Sequence, residues 1–210
     1  MSWPGAPYDE GSFDIIRNGE VVGREQFSIR QAATRGARSA ITVVTRAQYP
    51  PDAAGSSLSL AVEFQPDSQV SLAQYELAGG TERVLVRFTP GRITVRIGRP
   101  GRESTREYPG GPRPVLVDDS LFASLAVPPG TRPGLVTLFS PRDGRRTPAS
   151  LVVAGREATT VGREERILKR LTLRTAAESR HLWFDERGRL IKVEVPALGI
   201  RVLRSPPPTP

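Results

Sequence analysis

"VLVRFTPGRITVRI", residues 84–97, alternates apolar and polar side chains on either side of Pro90-Gly91. With Pro90-Gly91 as a two-residue loop, Phe88 faces Ile93, Val86 faces Val95 and Val84 faces Ile97, so every pair on one face is apolar. The other face pairs Arg87 with Thr94 and Leu85 with Arg96. A period of two with one dry and one wet face predicts a half-buried antiparallel hairpin.

The same grammar recurs at both ends of the chain. In "HLWFDERGRLIKVEV" (181–195), a loop at Arg187-Gly188 pairs Phe184 with Ile191 and Leu182 with Val193. Its other face sets Glu186 against Arg189, Trp183 against Lys192 and His181 against Glu194, and reads as wet, with ion and cation–π pairs. In "SFDIIRNGEVVGREQFSI" (12–29), Asn18-Gly19 suits a type I′ turn. Ile15 then pairs with Val22 on the face of Phe13, and one extra residue is needed to keep Phe27 and Ile29 on that face. Gly23 is expected to supply it as a bulge with positive φ.

Gly23 opens a Gly-Arg-Glu triplet that occurs four times, at Gly23, Gly101, Gly155 and Gly162. At Gly23 and Gly101 it reads as a bulge or turn exit, with Arg and Glu on opposite faces near a sheet edge, where charge discourages pairing with another chain. At Gly155 and Gly162 no change of parity is visible.

Turn signals divide the chain into candidate strands near 12–17, 20–30, 39–49, 57–65, 69–78, 82–89, 92–98, 103–108, 134–140, 150–161, 166–175, 180–186, 189–195 and 199–204. The expected fold is all-β: a single curved antiparallel sheet or open barrel of about 11–14 strands, with a two-sheet sandwich as the competing arrangement. It occupies residues 11–204 as one domain, between a flexible N-terminal segment (1–10) and a Pro-rich tail (205–210). One segment departs from the pattern. "VLVDDSLFASLAVPPG" (115–130) predicts a short amphipathic helix over 119–127, capped by Asp118 or Asp119 and packed across the sheet.

The chemistry-bearing residues are few. His181 is the only histidine and there is no cysteine, so neither a zinc site, which needs several such ligands, nor a thiolate nucleophile is expected. Asp118-Asp119 reads as a capping pair rather than an acid–base pair, and "PGGPR" (109–113) lacks the Lys-Ser/Thr of a phosphate loop and reads as a connector. No G-x-S-x-G is present. No catalytic residue, metal or cofactor is expected, and the chain reads as a non-enzyme.

The net charge of +8 comes from an arginine-rich composition, 28 of 30 basic residues, much of it interleaved with Glu. Polyanion binding rests on this charge alone, because the aromatics that would stack on bases are sparse; nucleic acid is not an expected partner. The first residues, "MSWPGAPYDEGSF", show neither a charged nor an apolar leader region, and no run reaches the ~18 apolar residues of a membrane span. The expectation is a periplasmic or exported protein if a signal peptide has been removed, and a cytoplasmic one otherwise.

"FDIIRNGEVVGREQFSI", "VLVDDSLFASLAV" and "HLWFDERGRLIKVEVPALGIRVLR" resemble exported bacterial domains of unknown function, which open on F-x-I-x-x-x-G-x-x-x-G and close on a W-x-D-x-x-G-x-L hairpin. Those are in turn similar to the lipoprotein-carrier (Lol) group, where a curved sheet wraps an apolar groove closed by short helices. The resemblance implies a soluble, non-catalytic envelope protein with a lipid or other apolar ligand. A protein-interaction or assembly module with an envelope partner is the alternative, and a polyanion binder the third reading. The residues expected to line the groove are Phe13, Ile15, Phe27, Val86, Val95 and Phe184 of the sheet, with Phe122 and Leu125 pointing in from the helix. Left open, that face is an apolar pocket; filled, it is a core.

Overall fold

A computed structural model describes residues 6–31, 40–51, 56–77, 81–127, 132–161 and 163–206. Residues 1–5 and the end of the tail, 207–210, lie outside the described residues, as does Gly162 of the last Gly-Arg-Glu triplet. In chain order the strands are β1 (Ala6–Arg17), β2 (Glu20–Gln31), β3 (Ile41–Tyr49), β4 (Ser56–Phe64), β5 (Val70–Leu77), β6 (Glu82–Thr89), β7 (Arg92–Arg99) and β8 (Arg102–Pro109). They continue as β9 (Pro114–Leu116), β10 (Gly134–Ser140), β11 (Arg145–Val161), β12 (Glu164–Arg174), β13 (Ser179–Phe184), β14 (Leu190–Val195) and β15 (Ile200–Arg204).

All fifteen of these form one curved sheet that does not close, in the order β8-β7-β6-β5-β4-β3-β2-β1-β15-β14-β13-β12-β11-β10-β9. Each predicted strand is present, and the two-sheet sandwich is not. The added strand is the three-residue β9, which pairs parallel to β10 and had too little alternation to be visible. Strand β1 begins at Ala6, inside the predicted N-terminal segment. Its start is anchored at Asp9, whose carboxylate holds the buried Arg204 guanidinium of β15 through two bonds of 2.6 and 2.8 Å.

Register follows the hydrophobic pattern. In the β6–β7 hairpin Phe88 pairs with Ile93, Val86 with Val95 and Val84 with Ile97, all buried except the half-buried Ile97, while Arg87 pairs with Thr94 and Leu85 with Arg96 on the outer face. In β1–β2, Ile15 pairs with Gly23 and Ile16 with Val21, so the extra residue is Val22. The predicted bulge exists, but Gly23 is not among the glycines with positive φ. It is glycine for another reason: a Cβ there would lie 2.3 Å from Cε1 of Tyr49, whose ring covers it.

In β13–β14 the pairs His181–Glu194, Leu182–Val193 and Trp183–Lys192 stand as expected, but Phe184 pairs with Leu190 because Ile191 is bulged. The ion pairs at the turn also differ: Arg189 binds Asp185 at 2.6 Å, and Glu186 reaches Arg156 at 3.1 Å. Nor is this face wet. Trp183 and Ile191 are buried in a second small cluster with Val161 and Leu168, outside the main core. Gly155 explains it. Its φ of +68° forms a bulge in β11, with Ala154 and Gly155 together opposite Arg170, and the far end of the β11–β12 hairpin packs onto Trp183. The indole N–H donates to Glu157 at 2.7 Å, and Lys192 Nζ sits 4.6 Å from the ring centroid.

The helix predicted over 119–127 is a single 3-10 turn, Ala123–Ala126. It is not amphipathic, since every residue from Leu121 to Val127 is buried. With apolar or small side chains all round, the segment has no polar stripe to leave in water, and it inserts into the core rather than lying on it.

Candidate functional site

Segment 117–127 crosses the inner face of the sheet, and its backbone polar groups need partners there. The N–H groups of Phe122 and Ala123 donate to the carboxylate of Glu25 on β2, at 2.8 and 3.0 Å, and Thr45 on β3 donates its hydroxyl to the same group at 2.7 Å. The Tyr49 hydroxyl donates to the carbonyl of Ser120 at 2.7 Å. Asp118 binds Arg142 through both carboxylate oxygens at 2.9 Å and accepts the Ser120 N–H at 2.8 Å. Asp119 pairs at 2.8 Å with Arg180, which also binds Glu178.

Glu25 therefore corrects the reading of its triplet. β2 lies in the middle of the sheet, and Glu25 is fully buried, not an edge charge. Burial pushes its pKa up to about 7, against the pull of the three donors, and nearby Asp118 adds to the rise. Asp118 is itself raised, first by burial and against the charge of Arg142. Neither aspartate caps a helix: the turn begins at Phe122 with no side-chain cap of its own, and Glu25 supplies what a cap would. The two aspartates engage different arginines and do not form a shared acid–base pair.

The eight residues expected to line a groove are brought together. Phe13, Ile15, Phe27, Val86, Val95, Phe122, Leu125 and Phe184 belong to one cluster and none is more than 5% exposed. Phe13 and Phe27 stack at 4.7 Å. In this arrangement segment 117–127 fills the face that they line.

His181 stands at the half-buried rim of the second cluster, its Nδ1 3.0 Å from the Thr172 hydroxyl. Burial lowers its pKa, helped by Arg170. Among the described residues no group of three or more His, Asp or Glu side chains could hold a metal ion.

An open groove lies elsewhere, where the two ends of the sheet meet. Phe88 and Tyr108 pack edge-on against Phe139 of β10, with centroids 5.9 and 5.5 Å away. The Gly110 N–H donates to Gly91 O at 2.8 Å. Beside this seam is a groove of about 380 Å³ in which Val70, Phe88 and Ile93 are the buried apolar residues, Gly91, Gly110 and Gly111 supply bare backbone, and Gln65, Gln69 and Thr89 are polar. The close approach demands glycine: a Cβ on Gly110 would meet Gly91 at 2.7 Å, and one on Gly111 would meet Thr137 Oγ1 at 2.0 Å. The connector "PGGPR" thus forms part of a cleft. Two adjacent glycines between prolines were the available signal, since glycine marks close backbone approach.

The chain matches no family model, and no curated protein matches it. Among solved structures it is similar to a β-barrel-like protein of the domain of unknown function DUF1849 from Brucella abortus, with a TM-score of 0.54 at 10% identity, over 97% of this chain and 96% of that one. The similarity supports a β-barrel-like fold. Among the described residues no helix is long and apolar enough to cross a membrane, which says nothing of strands.

Proposed function

We propose that this protein is a non-catalytic binding protein that takes an apolar group, such as the end of an acyl chain, in the groove at the sheet seam. The observation that carries this reading is the groove's composition: buried Val70, Phe88 and Ile93 beside polar Gln65, Gln69 and Thr89 and one acid, Asp67, whose carboxylate is held by Gln69, in about 380 Å³. An apolar interior with a few polar groups and a volume of several hundred Å³ suits small hydrophobic ligands. Bare backbone at Gly91, Gly110 and Gly111 lets a ligand approach closely. The resemblance to the lipoprotein-carrier group supports both an apolar ligand and an envelope setting.

Native mass spectrometry of protein purified without detergent, followed by organic extraction and a fluorescent fatty-acid uptake assay, tests it. Uptake by the parent protein and its loss in Ser71→Trp, which fills the groove from β5, is the expected outcome. A clean apo mass with no probe uptake would refute the reading.

A second reading, assembly with a protein partner, is favoured by β8, an edge strand whose residues 102–107 are all exposed. Its charged side chains work against strand addition. A concentration-dependent mass in light scattering would favour assembly.

A further inference from the structure

The outer face of β6, β7 and β8 is rich in arginine. By register it carries Arg83, Arg87, Arg92 and Arg96 against Glu103 and Glu107, a net of +2, while Arg99, Arg102 and Arg106 fall on the opposite face. Because Val84, Val86, Phe88, Ile93 and Val95 fill the inner face, alternation sends Arg83, Arg87, Arg92 and Arg96 outward. Between β6 and β8 is a hollow of about 440 Å³ lined by Arg87, Arg92, Arg96, Thr89, Thr94 and Thr105.

Arg87 sits beside Leu72 on one neighbouring strand and Thr94 on the other, and it has no acidic partner among the described residues. Arg92 and Arg96 pair with Glu107 and Glu103, but all four side chains are more than half exposed, and pairs of that kind hold weakly. The hydroxyls of Thr94 and Thr105 have no hydrogen-bond partner among the described residues. Arg87 of β6 faces Thr94, which lies between Arg92 and Arg96 on β7, so the three arginines flank free hydroxyls, a donor set that suits the several oxygens and the double charge of a phosphate group. The aromatic rings of these strands, Phe88 and Tyr108, are turned inward against Phe139, so this face offers no platform for stacking bases.

We propose that this hollow binds a phosphate group, with Arg87 as its anchor and Arg92, Arg96 and the threonine hydroxyls completing its coordination. The site is separate from the apolar groove and does not depend on it. Calorimetry with tripolyphosphate and co-sedimentation with phosphatidylcholine vesicles, with and without phosphatidic acid, test it and distinguish a free phosphate from a lipid headgroup. Binding of at least one probe, weakened about tenfold by Arg87→Gln and unchanged by Arg156→Gln, is expected. Arg156 is an exposed arginine on β11, so its loss removes the same charge elsewhere. Tripolyphosphate binding alone would assign a soluble phosphate; vesicle binding that tripolyphosphate displaces would assign a headgroup. Equal losses in the two variants, or no binding of either probe by the parent protein, would overturn the proposal.

Discussion

The carboxylate of Glu25 accepts the backbone N–H of Phe122, 97 residues away in the chain, at 2.8 Å. One buried acid thereby ties the central sheet to the segment that fills its inner face. Burial raises the pKa of this acid from 4.5 to about 7. Between those values the folded chain holds a proton that the unfolded chain has released, so folding stability falls as pH rises through the window. The gap corresponds to about 3 kcal/mol. Thermal unfolding of Glu25→Gln should lose most of the slope that the parent shows between about pH 5 and about pH 7. Superimposable pH profiles would contradict this placement of Glu25.

Two tyrosines near this acid, half-buried Tyr49 and fully buried Tyr75, should respond oppositely to loss of their hydroxyls. Tyr49 donates to Ser120 O at 2.7 Å, and Tyr49→Phe leaves that carbonyl without its donor. A destabilisation of about 1 kcal/mol is expected. Tyr75 is fully buried with no hydrogen-bond partner for its hydroxyl among the described residues. Tyr75→Phe removes a desolvated polar group without opening a cavity, and should be neutral or stabilising by up to about 1 kcal/mol. Urea denaturation of the two variants side by side reads the difference.

The glycines of the repeated triplet serve different ends, and alanine separates them. At Gly23 a methyl group collides with the Tyr49 ring at 2.3 Å, so Gly23→Ala should destabilise by about 1–3 kcal/mol. At Gly155 there is open space but φ is +68°, and Gly155→Ala should cost about 1–2 kcal/mol through backbone strain alone. Combining Gly23→Ala with Tyr49→Ala should restore part of the first loss and none of the second, as chemical denaturation would show.

What could be read from sequence was local. The β6–β7 pairs follow from alternation around Pro90-Gly91, because both strands of a hairpin sit within one stretch of chain. Glu25 could not be read this way: nothing beside it in sequence shows that its partners are Phe122 and Ala123. Alternation along β13 places Trp183 on the face away from the main core, and only the hairpin bent at Gly155 brings Val161 and Leu168 over it. Period two identifies Phe13, Ile15, Phe27, Val86, Val95 and Phe184 as inner-face residues, whereas Phe122 and Leu125 follow from the apolar segment 121–127, and all eight lie in one buried cluster. Whether that face is open depends on segment 117–127, whose seat is fixed by distant polar contacts rather than by its own pattern.

The binding seat itself is most directly tested by NMR. Titration of the isotopically labelled protein with decanoate should shift the backbone amides of Ser71, Gly91, Gly110 and Gly111, which line the seam, and leave those of Phe122 to Ala126 in place. Shifts confined to segment 117–127 and the strands beneath it would contradict the seat at the seam, and an unperturbed spectrum at saturating decanoate would contradict apolar-ligand binding altogether.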